Sequence, residues 1–597
     1  MALNIALVVV TPAGLETARA LQSALPGASI HGLAGRVEGE VGFQDTSAHL
    51  RALFAARTPI IGICAAGIVI RALGPVLGDK HAEPPVLAVG VDGSSVVPLL
   101  GGHHGANTLA REIARILDIH PALTTAGELA LGVALDDPPP GWRVGNPQAA
   151  KSVTAALLAE ESVSLEVEAG EAGWLDGINF AEKADLAIRI TDRSIEADDH
   201  ELVLHPPTLA LGVGCERDAP AEELIDLVRS VLAQEALSPK SIACVASIDL
   251  KADETAVQAL AAELDVPARF FSAVELEAES ARLVHPSEVV FAETGCHGVA
   301  EGAALAAAGG EASLIVPKVK GARTTMALAR SPRSIDAQTR GRARGKLYVV
   351  GIGPGTAQWR SPEASAAIEA SGDLVGYGLY LDLLGHAAQG KARHESALGA
   401  EEARAAKALD LAAEGRTVSL VCSGDPGIYA LATLVFELLD RKQRADWNRV
   451  EVVVVPGISA LQAAAARAGA PVNHDFCTIS LSDLLTPWES IETRLKAAAM
   501  ADFVVCFYNP VSQRRRDQLP RARDILLSGR GPDTPVILAR QLGRPGETVE
   551  VIRLADLDAD KVDMLTMVVV GSSETRTFTA GQRTWTYTPR GYGKKMV

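Results

Sequence analysis

Three glycine-rich loops constrain this chain more than any other feature: Gly351-Ile-Gly-Pro-Gly355, Ser423-Gly-Asp-Pro-Gly427 and Val455-Pro-Gly-Ile-Ser-Ala460. Each follows an apolar, β-branched run, with Val418-Ser-Leu-Val-Cys422 and Val450-Glu-Val-Val-Val-Val455 ahead of the second and third. Glycine tolerates positive φ and carries no Cβ, and proline fixes one φ, so such a strand exit lets backbone approach a ligand closely. Three of them predict a single cleft lined by strand ends, which is a cofactor site.

The first loop lacks the Gly-x-x-x-x-Gly-Lys-Ser/Thr pattern of an ATP-binding P-loop. It also lacks the third glycine of a dinucleotide fingerprint, and no well-placed acid stands about 20 residues further on to hold a ribose. An adenosyl-like ligand held in another way is the remaining reading.

At 597 residues the chain exceeds what one core can organise, and roughly three to five domains are expected. A formal net charge of −17 argues against nucleic acid or a membrane surface as partner. The stretch Arg514 to Arg544 is locally basic, with arginines at 514, 515, 516, 521, 523, 530, 540 and 544. Such a face suits a polyanionic small molecule, or is merely a solvated helix face. The seven cysteines stand singly with no Cys-x-x-Cys pair, so neither a metal or iron–sulfur site nor a disulfide framework is expected. The opening Met-Ala-Leu-Asn-Ile-Ala-Leu-Val-Val-Val reads as a first strand rather than a signal peptide. The longest apolar run, Pro59 to Ile70, is too short to span a bilayer. A cytoplasmic protein is expected.

Short β runs alternate with alanine-rich helical stretches throughout, which predicts a multidomain α/β chain. The boundaries expected are 1–134, a variable middle region 135–206, 207–330, a polar basic linker 331–345, and 346–597 with a lobe boundary near 460.

Six motifs in the last segment carry a specific resemblance: the three loops together with Phe507-Tyr-Asn-Pro510, Ala539-Arg-Gln-Leu-Gly-Arg-Pro-Gly-Glu547 and Thr588-Pro-Arg-Gly-Tyr592. In this order they resemble the tetrapyrrole S-adenosylmethionine methyltransferases, and within them the precorrin-3B C(17)-methyltransferase family of cobalamin biosynthesis. The resemblance implies a two-lobed fold, S-adenosyl-L-methionine as cofactor, a tetrapyrrole substrate and a homodimer formed through this domain. Implied cofactor contacts are Gly353, Pro354, Gly355, Ser423, Gly424, Asp425, Ile428, Ser459, Ala460 and Asn509. For Asp425 the alternative is a turn-forming aspartate ahead of proline. The implied reaction, methylation with ring contraction to precorrin-4, needs a base and a proton donor. Glu401, Arg404, Tyr508 and His474 stand in motif positions for these roles, and Arg514, Arg540 and Arg544 for the substrate carboxylates. The related uroporphyrinogen enzymes carry an aspartate after the tyrosine of the third strand-like run; here Gly378 follows Tyr377.

The first half carries Gly62-Ile-Cys-Ala-Ala-Gly-Ile-Val-Ile-Arg71, Gly78-Asp-Lys80, Glu83-Pro-Pro85, Pro98-Leu-Leu-Gly-Gly-His-His-Gly-Ala-Asn107 and Thr124-Thr-Ala126. Further on stand Gly212-Val-Gly-Cys-Glu-Arg217, Ser247-Ile-Asp-Leu-Lys251, Thr294-Gly-Cys-His-Gly-Val-Ala-Glu301 and Ala322-Arg-Thr-Thr-Met-Ala-Leu-Ala329. These resemble the cobalt-precorrin-5A hydrolase family, which implies opening of a lactone with release of acetaldehyde. His103, His104 and Glu83 are the implied water-activating groups, with Glu301 and Lys251 as binders of substrate carboxylates. A module that binds and hands over corrinoid intermediates without turnover is the alternative for this half. Whether the substrate carries cobalt is open at this stage.

Overall fold

The computed structural model describes residues 5–25, 27–78, 83–123, 130–196, 198–397, 399–512 and 514–592, the His103 side chain excepted. The chain divides into two compact units: Met1–Gly345 with Ala413–Arg416 and Ala445–Glu451, and Lys346–Ala412 with Thr417–Arg444 and Val452–Val597. Each alternates strands and helices, the multidomain α/β architecture that the patterning predicts.

The first unit holds three sheets. Strands β1 (Ile5–Val9), β2 (Ala28–Leu33), β3 (Val41–Phe43), β4 (Ile60–Ile63), β5 (Val86–Val89) and β6 (Val96–Leu100) form one in the order β3-β2-β1-β4-β5-β6. All pairs are parallel except β5 with β6. β1, β4 and β5 are unbroken apolar runs because both faces of the sheet are buried. Strand order reverses between β1 and β4, so the crevice of this sheet lies at their carboxyl ends. On β2, His31 Nδ1 lies 2.8 Å from His49 Nε2. Burial, and secondarily His49, hold His31 down at about 4, so this pair stays neutral near neutral pH.

The second sheet comprises β7 (Arg143–Val144), β8 (Val163–Val167), β9 (Leu186–Ile190) and β10 (Glu201–His205), ordered β7-β10-β9-β8. Its core includes Leu135, Trp142, Leu175, Ile188, Leu202 and Leu204, so the region whose sequence pattern is weakest still builds a core of its own.

The third sheet, β11 (Leu209–Cys215), β12 (Ile242–Ile248), β13 (Ala268–Phe271), β14 (Ser313–Lys320) and β15 (Thr324–Arg330), runs β13-β12-β11-β15-β14. The alanine-rich helix Val299–Ala308 lies directly on β11: a Cβ at Gly212 would stand 1.9 Å from the Ala300 carbonyl oxygen. Only small residues permit that approach.

The stretch 331–345, expected as an exposed linker, departs from that expectation. Ile335 is buried, the Phe270 and Arg342 backbones exchange hydrogen bonds, and the Arg269 guanidinium donates to the Gln338, Arg340 and Gly341 carbonyls. It is a strap on the third sheet. Its polarity misleads because its backbone carbonyls make contacts that side-chain composition does not reveal.

In the second unit, β16 (Lys346–Gly351), β17 (Asp373–Tyr377), β18 (Ala392–Ser396), β19 (Thr417–Cys422) and β20 (Glu451–Val455) make a sheet ordered β18-β17-β19-β16-β20. Next come β21 (Gly469–Ala470), β22 (Phe476–Ser480), β23 (Val504–Tyr508), β24 (Pro535–Arg540), β25 (Thr548–Arg553), β26 (Thr566–Val570), β27 (Arg576–Ala580) and β28 (Arg583–Tyr587). They form a mixed sheet, β22-β23-β26-β24-β25, and a small one, β21-β28-β27. The helix Ala460–Ala468 packs Leu461, Ala463, Ala464 and Ala468 on the mixed sheet.

Candidate functional site

The parallel strands β16 and β19 deliver their carboxyl ends side by side, and β20 adds a third. The loops that follow interlock through backbone. Gly353 and Gly424, at φ 74° and 69°, exchange N–H···O bonds of 3.2 and 2.8 Å. A Cβ at Gly351 would meet the Gly424 oxygen at 2.6 Å and the Gly457 nitrogen at 2.8 Å; one at Gly457 would lie 2.2 Å from the Gly424 oxygen. Three loops therefore share a space that admits no side chain at these positions. Asp425 Oδ1 accepts from the Gly427 amide at 2.8 Å and Oδ2 from the Gly457 amide at 3.1 Å. The turn-forming role weighed for this residue is present, and it extends to the third loop. Ser459 caps the helix Ala460–Ala468 through a reciprocal box with Gln462, which aims the end of the third loop.

The second lobe closes over these loops. A Cβ at Gly355 would be 1.9 Å from the Gly543 carbonyl oxygen, and the Thr356 amide donates to that oxygen at 3.2 Å. Glu547 Oε2 accepts from the Gly543 amide and Oε1 from Arg467 Nε, each at 2.6 Å, while Arg467 stacks on Trp359 at 4.6 Å. Arg544 Nε donates to the Pro354 carbonyl at 2.8 Å and Nη2 to Ser423 Oγ at 3.1 Å. Burial draws the Arg544 guanidinium below its ordinary value. Arg544, expected to hold a substrate carboxylate, instead bolts the first two loops together. Arg544→Met should weaken binding of a cleft ligand about tenfold, since each hydrogen bond from a charged donor contributes about 1.5–3 kcal/mol and part is recovered by packing; calorimetric titration checks this.

At the far wall, Tyr508 ends β23 with its ring centroid 5.1 Å from that of Tyr429, whose hydroxyl donates to the Thr478 carbonyl at 3.1 Å. The Tyr508 hydroxyl is buried without a hydrogen-bond partner of ordinary geometry, although Ser459 and Leu461 lie beside it. Burial raises its pKa, so it remains a proton donor near neutral pH. Asn509, at φ 50°, donates to Ser480 Oγ at 3.1 Å, and its carbonyl accepts from Arg515 Nη2 at 2.8 Å. Ile428 is half-buried in the second loop, and a Cβ at Gly424 would make only ordinary contacts, 3.9 Å from Ser459 and Ala460.

Other expected residues take different places. Arg404 is 4% exposed, and its guanidinium is spent on Ser396 Oγ and the Ala397 carbonyl. Glu401 starts the helix Glu401–Ala413 and accepts from the Gly399 amide. His474 is exposed and accepts from its neighbour's amide, Asp475, at 2.8 Å. The basic face expected over 514–544 is largely neutralised. Arg516 pairs with Asp560, Arg540 with Asp563 and Arg521 with Glu492, and the Arg530 guanidinium is buried against the Phe503 and Gly571 carbonyls. Arg514 is exposed. The clasp of Gly543, Glu547, Arg467 and Trp359 had a sequence signal in the motif Ala539–Glu547, but spacing does not reveal what Glu547 reaches.

In the first unit, Gly101 to Gly105 turns at the amino-terminal edge of its sheet, because β6 runs antiparallel to β5; Gly101 packs against the Pro84 carbonyl. His104 is exposed there and Glu83 half-buried, and neither is at the β1/β4 crevice. The His103 side chain, Asp79, Lys80 and Thr124 to Ala126 lie outside the described residues. Glu301, 1% exposed, accepts from the Val284, His285 and Lys318 amides and from His285 Nδ1. Lys251 Nζ donates to the buried Glu254 at 3.1 Å. Both side chains are engaged internally rather than presented to a substrate. Among the described residues no helix is long and apolar enough to cross a membrane.

Residues 346–558 match the model for Tetrapyrrole (Corrin/Porphyrin) Methylases, 209–329 that for Cobalamin synthesis G C-terminus, and 48–128 that for Cobalamin synthesis G N-terminal. The chain is 47% identical over 249 residues to a precorrin-3B C(17)-methyltransferase of Sinorhizobium sp, covering 42% of this chain and 97% of that protein. It is 43% identical over 252 residues to cobalamin biosynthesis protein CobIJ of Mycobacterium tuberculosis, 42% of this chain and 48% of that one, so it spans about half the length of this second relative. The crystal structure of the methyltransferase CobJ is 41% identical, covers 41% of this chain and 100% of its own, and superposes with a TM-score of 0.39. With the interlocked loops and this degree of identity in hand, the chain belongs to the tetrapyrrole methylase family of cobalamin synthesis, with regions of the cobalamin synthesis G type ahead of the methylase domain.

Proposed function

We propose that residues 346–597 methylate precorrin-3B, or its cobalt form, at C(17) with ring contraction to precorrin-4, using S-adenosyl-L-methionine, and that the first unit carries a cobalt-precorrin-5A hydrolase-like activity. The observation that carries the first part is the three-loop interlock at one sheet edge, in a segment so similar to the Sinorhizobium enzyme. The cofactor would supply an electrophilic methyl group on a sulfonium. The buried Tyr508 hydroxyl, which has no hydrogen-bond partner of ordinary geometry, fits a polar group of that ligand. Gly353, Pro354, Gly355, Ser423, Gly424, Asp425, Ile428, Ser459, Ala460 and Asn509 would hold it. Because loop backbone and the Arg544 bolt set the position, much of the acceleration comes from alignment. Tyr508 is assigned as proton donor, with Glu401 and His474 as further acid–base groups and Arg514 and Arg540 toward the substrate carboxylates.

Binding of S-adenosylhomocysteine to the full chain, followed by turnover of metal-free and cobalt-loaded substrate side by side, tests this reading. Absence of saturable binding removes it. A homodimer through the methylase domain follows from the same reading and is supported by the adjacent Leu484 and Leu485, 85% and 97% exposed; light scattering measures it. Residence in the cytoplasm is supported by seven cysteines that are all free thiols.

A further inference from the structure

The third sheet of the first unit carries an imidazole–carboxylate pair that no role above absorbs. His297 Nδ1 lies 2.9 and 3.0 Å from the two carboxylate oxygens of Glu277, and the His297 amide donates to Glu277 Oε2 at 2.9 Å. Glu277 ends the helix Ala273–Glu277 that follows β13, and His297 stands two residues ahead of the helix Val299–Ala308. Both therefore come from segments anchored on packed helices. Val299 lies against Gly214 near the end of β11, and Asp249, just past β12, is close enough to Cys296 to act on it electrostatically. The pair thus sits outside the carboxyl ends of parallel strands, where open α/β sheets place ligands. The Gly101–Gly105 turn, with its two histidines, occupies the opposite kind of edge in its own sheet.

The local chemistry is directional. A carboxylate on Nδ1 keeps the ring proton there and leaves the Nε2 lone pair available. The nearest acid on that side, Glu288, is 3.6 Å away on a side chain 90% exposed. Phe291 stacks on the imidazole with centroids 4.4 Å apart and fixes its plane. The segments that carry the pair also expose Val274, Val284, Val289 and Phe291. An oriented base beside apolar surface suits a large, flat, mostly apolar substrate with one hydrolysable group.

We infer that His297, positioned by Glu277, is the general base of the hydrolytic half and acts on a lactone of a tetrapyrrole-sized macrocycle; this rests on the hydrolase reading of that half. Nε2 takes one proton from water as the water oxygen bonds to the lactone carbonyl carbon. The adduct then collapses with cleavage of the acyl C–O bond. The departing ring oxygen receives the proton from the imidazolium, giving a carboxylic acid and a hydroxyl group. Acetaldehyde then leaves when that hydroxyl loses its proton to form a carbonyl, its carbon–carbon bond to the macrocycle breaks, and the macrocycle takes the bond pair and a proton. Water is thus the sole co-reactant.

The test uses the full chain and cobalt-precorrin-5A, with acetaldehyde release as the readout, methyl transfer as the control for the preparation and urea unfolding of the first unit as the control for folding. His297→Gln should lower kcat by about 100-fold or more, within the range that general bases contribute, while substrate affinity stays within about twofold. Added imidazole should restore part of the rate in His297→Ala. Glu277→Gln should lower kcat about tenfold with KM unchanged, the split expected of a positioning residue and not of a misfolded loop. Hydrolysis by the unmutated chain with His297→Gln at full rate overturns the assignment and leaves the hydrolase reading standing. No acetaldehyde from the unmutated chain, in a preparation that methylates its own substrate, removes the hydrolase reading and this base together.

Discussion

Gly457→Ala is expected to abolish saturable binding of S-adenosylhomocysteine at ordinary titration concentrations. The new methyl group would stand 2.2 Å from the Gly424 carbonyl oxygen and 2.7 Å from the Gly351 carbonyl, and all of these atoms are backbone. No rotamer change relieves such a clash, so the loops must separate. Forced overpacking at the upper end of its usual range costs about 3 kcal/mol, which is roughly 100-fold in affinity if the separated loops no longer bind. Gly424→Ala is the comparison. Its Cβ would meet nothing closer than 3.9 Å, and only the φ of 69° resists a side chain. That conformation costs about 1–2 kcal/mol, so a loss nearer tenfold is expected. Titration calorimetry of both variants decides the matter. Equal, small losses would mean that the three loops do not form the binding surface.

Glu301→Ala should destabilise the first unit by about 2–3 kcal/mol, because the buried carboxylate accepts four hydrogen bonds and water replaces only part of them at the exposed Val284 and His285. Three backbone amides and the His285 imidazole converge on those two oxygens. Urea unfolding of the full chain, followed by a probe in the first unit, measures the loss; a change under 1 kcal/mol would contradict this account. The same geometry sets a pH dependence. Burial alone would raise the Glu301 pKa, but the hydrogen bonds from His285, Lys318 and Val284 outweigh it and the folded value is lowered. A carboxylate lowered on folding contributes stability that is fully present above its unfolded pKa of about 4.3 and is lost as pH falls through the folded value. The wild-type unit should therefore lose stability below about pH 4.3, and the variant should lose less over that window.

The two results bear on how much could be read in advance. Apolar runs such as Val86–Val89 and Val504–Tyr508 form strands of the α/β pattern, since a strand buried on both faces needs an unbroken apolar run. The glycine loops were legible for a related reason: positive φ and backbone-to-backbone contact both demand glycine, whatever the partner. Charged residues were far less legible. Arg544, Glu301 and Lys251 look from their neighbours like ligands for a carboxylated substrate, and Arg404 like an acid–base group, yet each is consumed by an internal partner 3 to 190 positions away. A long side chain reaches whatever the fold brings within a few ångströms, and nothing in its own neighbourhood encodes that distance. The two histidines at 103 and 104 show the same limit. They sit in a glycine-rich turn like the others, but β6 runs antiparallel to β5 and carries that turn to the edge away from the β1/β4 crevice.

The sequence by itself determined the α/β class, the positions of the three glycine loops and the family to which they point, because these depend on local periodicity and on backbone conformations that few residues can adopt. The tertiary structure decided which charges are spent on the protein and which face a ligand. It turned Asp425 and Arg544 into ties between loops and brought Glu277 onto His297 across twenty residues. Pairings of that kind follow from strand order and helix packing, and those follow from the whole chain at once.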